Sequence, residues 1–301
     1  MSVILFFGAG ASYGAGSVYP KPPPLGAQLY NELRSRFPKT WGHFPQALHN
    51  EFAENFEKGM GVLWQSGSHA SPVLMQDMAV YFSEFTLSIS RDDCYSTLVD
   101  LLVSKGLIED CVFSTLNYDC LLEIALSMAK RRILYFNRKV VDSSDSIMWK
   151  LHGSCNFIPE NIRATRGVSF GSSVTWNPDL RAVNPPEVKA FCYGNTALYP
   201  ALAIYAKDKP VQIAPGIIRH IQNWWAEAIA QSSQIVVVGV NPYPDDNHIW
   251  NPIATSSGRL LYVGNEKAFK RWSAEYRSSN ESIHLGNRFN LCIERIIDEL
   301  Q

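Results

Sequence analysis

The 301-residue chain contains no CxxC pair, and its six cysteines, Cys94, Cys111, Cys120, Cys155, Cys192 and Cys292, are scattered. Zinc ribbons need paired ligands at short spacing, and small secreted scaffolds need a dense disulfide framework. Both are excluded, and the thiols read as free and reduced. No window approaches the roughly 18 unbroken apolar residues that span a bilayer. The amino-terminal apolar run has no basic residue ahead of it, so it does not read as a secretory signal, and a cytoplasmic location is expected. Charge of one sign is missing too. With 27 Lys and Arg against 28 Asp and Glu, the formal net charge is −1, which supplies no electrostatic reason to expect direct nucleic-acid binding or a membrane surface. There is no internal repeat and no low-complexity tail. What remains is an ordinary globular composition, 46% hydrophobic and 18% charged, with eight Trp, sufficient for a sizeable core.

The chain opens MSVILFFGAGASYGAG. Val3 to Phe7 is the continuous apolar run of a strand buried on both faces. Gly8, Ala9, Gly10 and Ala11 then reduce side-chain volume almost to nothing. Either a ligand phosphate approaches the backbone there, or a tight turn packs on a neighbouring element. The proline-rich stretch Tyr19 to Leu25 predicts an extended loop, followed by a helix from Gly26 to Arg36. Residues 38 to 93 read as largely helical, with Leu74, Met78, Phe82, Phe85 and Ile89 forming a core-facing stripe.

From Tyr95 onwards helices and strands alternate. A helix ends at Gly106, CVFSTL (111–116) is a strand, and NYDCLLEIALSMAKRR continues as a helix with Arg131 and Arg132 in its last turn. Ile133 to Phe136 and Ile147 to Leu151 are short apolar runs. Between Cys155 and Val211 the periodicity breaks into Pro, Asn, Gly and Ser clusters, as expected of a loop-rich cap. NWWAEAIAQ is helical, QIVVVGV and RLLYVGN are strands, and helices over 267–277 and 290–300 finish the chain. The pattern predicts an α/β fold, a Rossmann-like doubly wound parallel sheet without a zinc ribbon. It is expected as a single domain over 1–301, with its core at 1–36, 95–155 and 211–280, a helical insertion at 37–94 and a cap insertion at 156–210.

Polar residues collect where strands end. Ser12 follows the first strand, Asn117 and Asp119 follow CVFSTL, His152 follows IMWKL, Asn241 follows QIVVVGV, and Asn265 and Glu266 follow RLLYVG. In a parallel sheet these ends point one way and line one crevice. Singly, each has a plainer use: Asn117 or Asp119 as a helix cap, His152 as a core histidine, Asn265 as a helix start. In DDNHIW, Asp245, Asp246 and His248 have metal-ligand chemistry but read as a solvated loop, and no metal is expected.

The ordered set GAGAS at 8–12, TLNYD at 115–119, LHG at 151–153, VVGV at 237–240 and GNE at 264–266 resembles the motifs of sirtuins, NAD-consuming enzymes with a Rossmann-like core. The resemblance implies that Gly8, Ala9, Gly10 and Ser12 hold the pyrophosphate of NAD, the substrate. It places Asn117 and Asp119 by the nicotinamide ribose and makes His152 the catalytic base. Gly239, Val240 and Asn241 stand where the family has a GTS-like strand end, and Asn265, with Glu266 beside it, falls at the adenosine half.

The chain departs from that family in three places. The region after LHG has only Cys155 and Cys192 in place of a four-cysteine zinc module. GAGSVYPKPPPLG replaces a GIPDFR-like cofactor loop, and Gly239-Val240-Asn241 replaces GTS. The first two losses weigh against protein deacylation. The pattern is similar to bacterial sirtuin-like domains of anti-phage defence, which destroy NAD. That resemblance implies NAD+ hydrolysis to nicotinamide and ADP-ribose, a homo-oligomer, and a separate partner such as a hexameric ATPase or a nucleic-acid sensor. A deacylase or ADP-ribosyltransferase remains an alternative, as does a non-catalytic NAD or ADP-ribose sensor. A Rossmann dehydrogenase is disfavoured because the third glycine of GxGxxG is absent in register. The loops at 17–26 and 159–215 are the expected lids.

Overall fold

The computed structural model describes residues 2–66, 71–161, 177–194, 198–204, 210–243, 246–278 and 280–301. In chain order the elements begin with β1 (Val3–Phe7), α1 (Ala9–Tyr13), β2 (Val18–Tyr19) and α2 (Gly26–Arg36). The next group is α3 (Gln46–Glu54), α4 (Phe56–Gln65), α5 (Ser71–Ser83), β3 (Thr86–Leu87) and α6 (Cys94–Ser104). Then come β4 (Cys111–Thr115), α7 (Leu121–Met128), β5 (Arg132–Leu134), β6 (Asp145–Lys150), β7 (Phe157–Glu160), β8 (Asp179–Ala182) and α8 (Pro185–Cys192). The chain closes with α9 (Pro215–Gln231), β9 (Gln234–Val238), α10 (Asn247–Thr255), β10 (Arg259–Val263), α11 (Glu266–Tyr276), β11 (Ser282–Gly286) and α12 (Ile293–Leu300).

Seven strands form one sheet in the order β11-β10-β9-β1-β4-β6-β5, and every neighbouring pair is parallel. β1 is central because VILFF is buried on both faces. Successive side chains of a strand face opposite ways. Phe6 accordingly packs on Trp225 of α9, and Phe7 packs on Tyr95 of α6 and on Phe289. Helix α9 presents Ile218, Ile221, Trp225 and Ile229 to the core at three- and four-residue spacing. The one polar side chain that β4 places against α9 is satisfied: Trp225 Nε1 donates to Ser114 Oγ at 3.0 Å, and that hydroxyl donates to Leu5 O. From β1 the chain first builds one side of the sheet (β4, β5, β6) and then crosses to the other (β9, β10, β11). The order reverses between β1 and β9, the place where open α/β sheets leave a crevice. Rossmann-like doubly wound topology is therefore observed.

Several local expectations change. Leu74, Met78, Phe82 and Phe85 are buried as predicted, but α5 stops at Ser83 and Ile89 is 91% exposed. The chain leaves the helix because Thr86 and Leu87 pair antiparallel with Val18 and Tyr19. Helix α7 ends at Met128, and Lys130 turns the chain with φ +58°. Arg131 and Arg132 therefore do not lie in its last turn. Arg131 donates to Asp145 O and Ser146 Oγ, and Arg132 pairs with Asp145, so both secure the β5–β6 edge. DDNHIW is no loop from Asn247 on, since α10 begins there, and SIHLG is a seventh strand. β11 escapes the sequence pattern because it is an edge strand, half-buried at Ser282, Ile283 and His284. Within the cap, β7 and β8 form an antiparallel pair and α8 follows. Residues 162–176, 195–197 and 205–209 of the predicted cap lie outside the described residues.

The glycine turn has a packing cause. The Gly8 and Gly10 N–H groups donate to Val238 O and Gly239 O at 2.9 and 3.0 Å. A Cβ on Gly8 would stand 2.7 Å from Gly239 O, and one on Gly239 would stand 2.1 Å from Ala11 N. Gly239 also holds φ +67°, a conformation that other residues adopt at a cost. Gly239→Ala is therefore expected to cost about 1–3 kcal/mol, the usual range for enforced backbone strain. Scanning calorimetry should show the melting temperature lowered by several degrees, and an unchanged transition would refute this account of the turn.

Candidate active site

Phe7, Thr115, Val238 and Val263 stand in one register across four neighbouring strands, and Lys150 is in register with Thr115 beside them. The residues that follow share one edge of the sheet, where a cleft of about 720 Å³ opens. That size suits a small-molecule or dinucleotide site. Of the residues singled out from the sequence, Gly8, Ala9, Gly10, Asn117, His152, Gly239, Val240, Asn241 and Asn265 line it. Among the described residues no Lys or Arg lines the cleft, whereas Glu54, Glu57 and Asp246 do.

Three predicted residues do not reach the cleft. Ser12 is buried beneath the glycine turn and is saturated. Its hydroxyl donates to Asp119 Oδ1 at 3.3 Å and accepts from Asn117 Nδ2 and Tyr95 OH, each at 2.9 Å. One donor and two lone pairs leave it nothing for a phosphate. Asp119 lies in the same buried layer and also accepts from Leu121 N at 3.2 Å. Burial pushes its carboxyl up to about 6, partly offset by the Lys150 ammonium. Glu266 is exposed in the first turn of α11, where it pairs with Lys270 at 2.7 Å.

The two residues closest to chemistry are held differently. Asn117 spends both N–H donors, on Gly8 O and Ser12 Oγ, each at 2.9 Å. Its Oδ1 is the polar atom left for the cleft, so the side chain meets a ligand as an acceptor only. His152 is buried, and its Nε2 lies 3.0 Å from Nε2 of His248, which α10 carries into place. Burial, reinforced by the His248 ring, pulls the His152 imidazole down to about 3. It is therefore neutral at physiological pH, not poised near it as expected from the residue type. Gly153 follows with φ +73°, and a Cβ there would sit 1.9 Å from Ala201 O, so the turn that aims His152 depends on glycine.

Beneath this layer Lys150 donates to Asp119 O and to Glu123 Oε1, both at 2.6 Å. Burial alone would pull its ammonium down, but the Glu123 carboxylate holds it above the usual lysine range. Asn265 caps α11 by accepting from Ala268 N at 3.0 Å, which leaves its amide nitrogen for the cleft. Among the described residues, the Gly8 and Gly10 amides are spent and Ala9 N–H is the donor of the first turn without a backbone partner. No group of three or more His, Cys, Asp or Glu residues among them is arranged to hold a metal, and no described helix is long and apolar enough to cross a membrane.

Sequence reasoning missed several walls. Glu54 to Glu57 of the α3–α4 junction, Tyr13, Tyr243, Asn287 and Phe289 all line the cleft. Asn287 follows β11 as Asn265 follows β10, so recognising that strand would have exposed it. Of the expected lids, Leu25 and Gly26 reach the cleft, whereas no described residue of 159–215 does.

No protein-family model matches the chain, and no curated protein matches it. Among solved structures the chain is similar to a Sir2 homologue in complex with NAD, at 14% identity over 99% of this chain and 87% of that one, TM-score 0.42. It is similar to Sir2 in complex with an inhibitor, 2′-O-acetyl-ADP-ribose and a deacetylated peptide, at 13% identity over 99% and 92%, TM-score 0.44. It is also similar to a mutant Sir2 homologue in complex with ADP-ribose, at 14% identity over 100% and 90%, TM-score 0.42.

The His152 environment sets a sign for stability against pH. The unfolded chain binds a proton at His152 near 6.5, and the folded chain only near 3. The stability this group contributes is fully present above 6.5 and is lost as pH falls towards 3. His152→Gln removes that titration. Its melting temperature is expected to fall less than that of the wild type between pH 6.5 and 4.5, and parallel curves in a thermal-shift series would contradict the burial argument.

Proposed function

We propose that the chain is an NAD+ hydrolase that cleaves the nicotinamide–ribose bond to give nicotinamide and ADP-ribose, as a gated effector of bacterial anti-phage defence. The observation that carries this reading is the meeting of Asn117, His152 and the Gly8–Gly10 turn on one cleft at the switch point of the sheet. The ordered sirtuin-like motifs support the choice of NAD.

Departure of neutral nicotinamide leaves positive charge on the ribose, so the protein must hold the sugar and place water against its anomeric carbon. Asn117 Oδ1 accepts from that water or from a ribose hydroxyl. Its amide is fixed by Gly8 O and Ser12, and Ser12 is fixed in turn by Asp119 and Tyr95. Asp119 thus acts as a positioning residue one layer below the reaction. His152 takes the proton. The pyrophosphate meets the first turn at Ala9 N–H, and the adenosine half lies towards Gly264 and Asn265.

Uncontrolled NAD destruction would poison the host, so the activity is gated. Assembly into a homo-oligomer and a separate partner, such as a hexameric ATPase or a nucleic-acid sensor, are the proposed gates. One observation favours a second reading, a non-catalytic NAD or ADP-ribose sensor: an imidazole held down at about 3 is by itself a weak base.

Mass spectrometry of NAD incubated with the purified protein over a range of concentrations separates the two. Nicotinamide and ADP-ribose are expected from the wild type, with His152→Ala and Asn117→Ala each slower by at least about 100-fold, the lower range for lost acid–base or positioning catalysis. Wild-type turnover in either folded variant would remove that residue from the mechanism. Binding of intact NAD without turnover, with or without the partner, would establish the sensor.

A further inference from the structure

His248 has no place in the chemistry described so far, yet among the described residues it makes the one hydrogen bond of the His152 side chain. It belongs to α10, on the far half of the sheet, and is exposed, whereas the ring it meets is buried. Their ring centroids are 5.3 Å apart, with planes inclined by 35°. A neutral imidazole carries one N–H and one bare nitrogen, so a contact between two ring nitrogens at 3.0 Å requires one ring to donate and the other to accept. His152 has one further ring nitrogen, Nδ1, which pairs with no atom of the described residues, and the residue lines the cleft.

A buried base has to dispose of charge. Were His152 to keep the proton it takes, an imidazolium would be left buried. The same ring passes charge on without holding it if a proton arrives at one nitrogen as another leaves from the opposite one.

We propose that His248 is the positioning residue of His152 and the outlet for its proton: His152 Nε2–H donates to bare His248 Nε2 at rest, and reaction at His152 Nδ1 moves the Nε2 proton outward. This rests on the reading of His152 as the base of the cleft. The step is balanced. An O–H bond of the attacking water or of a ribose hydroxyl breaks and an N–H bond forms at His152 Nδ1. The His152 Nε2–H bond breaks and an N–H bond forms at His248 Nε2. His152 ends neutral with its proton on the other nitrogen, and the positive charge rests on His248, in contact with solvent. No oxidant, metal or further reactant is needed.

The substitutions His248→Gln and His248→Ala separate this from simple packing. The Gln side chain can accept a hydrogen bond from Nε2–H and hold the ring, but it cannot take the proton. In His248→Gln, kcat for NAD cleavage is expected to fall about 100-fold with little change in KM, as for loss of an acid–base group. In His248→Ala, millimolar imidazole in the buffer is expected to restore part of kcat, and 4-methylimidazole to restore more because it is more basic. In the free wild-type protein, nitrogen-15 spectra of the histidine rings are expected to show His152 protonated at Nε2 and His248 bare at Nε2.

The outcomes are distinct. Absence of NAD turnover in the wild type both with and without the partner overturns the hydrolase reading, while the ring spectra still decide the relay. Turnover that His152→Ala abolishes but His248→Gln leaves intact overturns the relay alone. Faster turnover in His248→Ala than in the wild type also overturns it, because His248 would then be covering the base. The reverse pattern, with His248 protonated at Nε2 and donating to a bare His152 Nε2, overturns it without any assay of activity.

Discussion

Two strand ends meet backbone to backbone at the centre of this molecule, and the cleft depends on that contact. Gly8 and Gly10 donate to the carbonyls of Val238 and Gly239, at a distance that leaves no room for a Cβ on Gly8, Gly10 or Gly239. The two halves of the sheet are built by separate stretches of chain, and this is where they are locked in register. Any side chain there would push β1 and β9 apart at their carboxyl ends and displace the floor on which Asn117 and His152 converge.

Below that floor lies a layer of polar groups closed against water. Ser12 is its hub, with its three hydrogen-bonding positions taken by Asn117, Tyr95 and Asp119. The Lys150–Glu123 pair continues the layer downwards and ties the β6 strand to the start of α7. A buried pair of this kind adds little net stability over an apolar core, but loss of either partner leaves an uncompensated charge. Its use here is geometric: it holds the Asn117–Asp119 turn and the His152 turn in one relation. Residues that resemble ligand contacts in the sequence therefore divide into a layer that touches the cleft and a layer that orients the first.

The sheet was legible wherever strands are buried on both faces, because VILFF, CVFST, QIVVV and RLLYV leave no other use for such runs. It was illegible at the edge, where SIHLG has one solvated side and polar residues interrupt the run. Convergence at strand ends was legible for Asn117, His152, Asn241 and Asn265, since a parallel sheet aligns them whatever their roles. Depth was not. Ser12 and Asp119 fall at the right edge but one layer down, and only the hydrogen bonds reveal it. The wall made by Glu54 to Glu57 was hidden as well, because a helical insertion distant in the chain carries no periodic signal of where it docks. His248 is exposed, as it was read, but its contact with His152 was hidden for want of α10, the helix that turns it there.

The lining of the cleft also shapes how a ligand arrives. Glu54, Glu57 and Asp246 stand on it, and no Lys or Arg does among the described residues. The anionic dinucleotide proposed for this cleft meets no basic funnel of Lys or Arg among the described residues. Its capture then rests on short-range fit, with Ala9 N–H as the backbone donor that the glycine turn leaves for it.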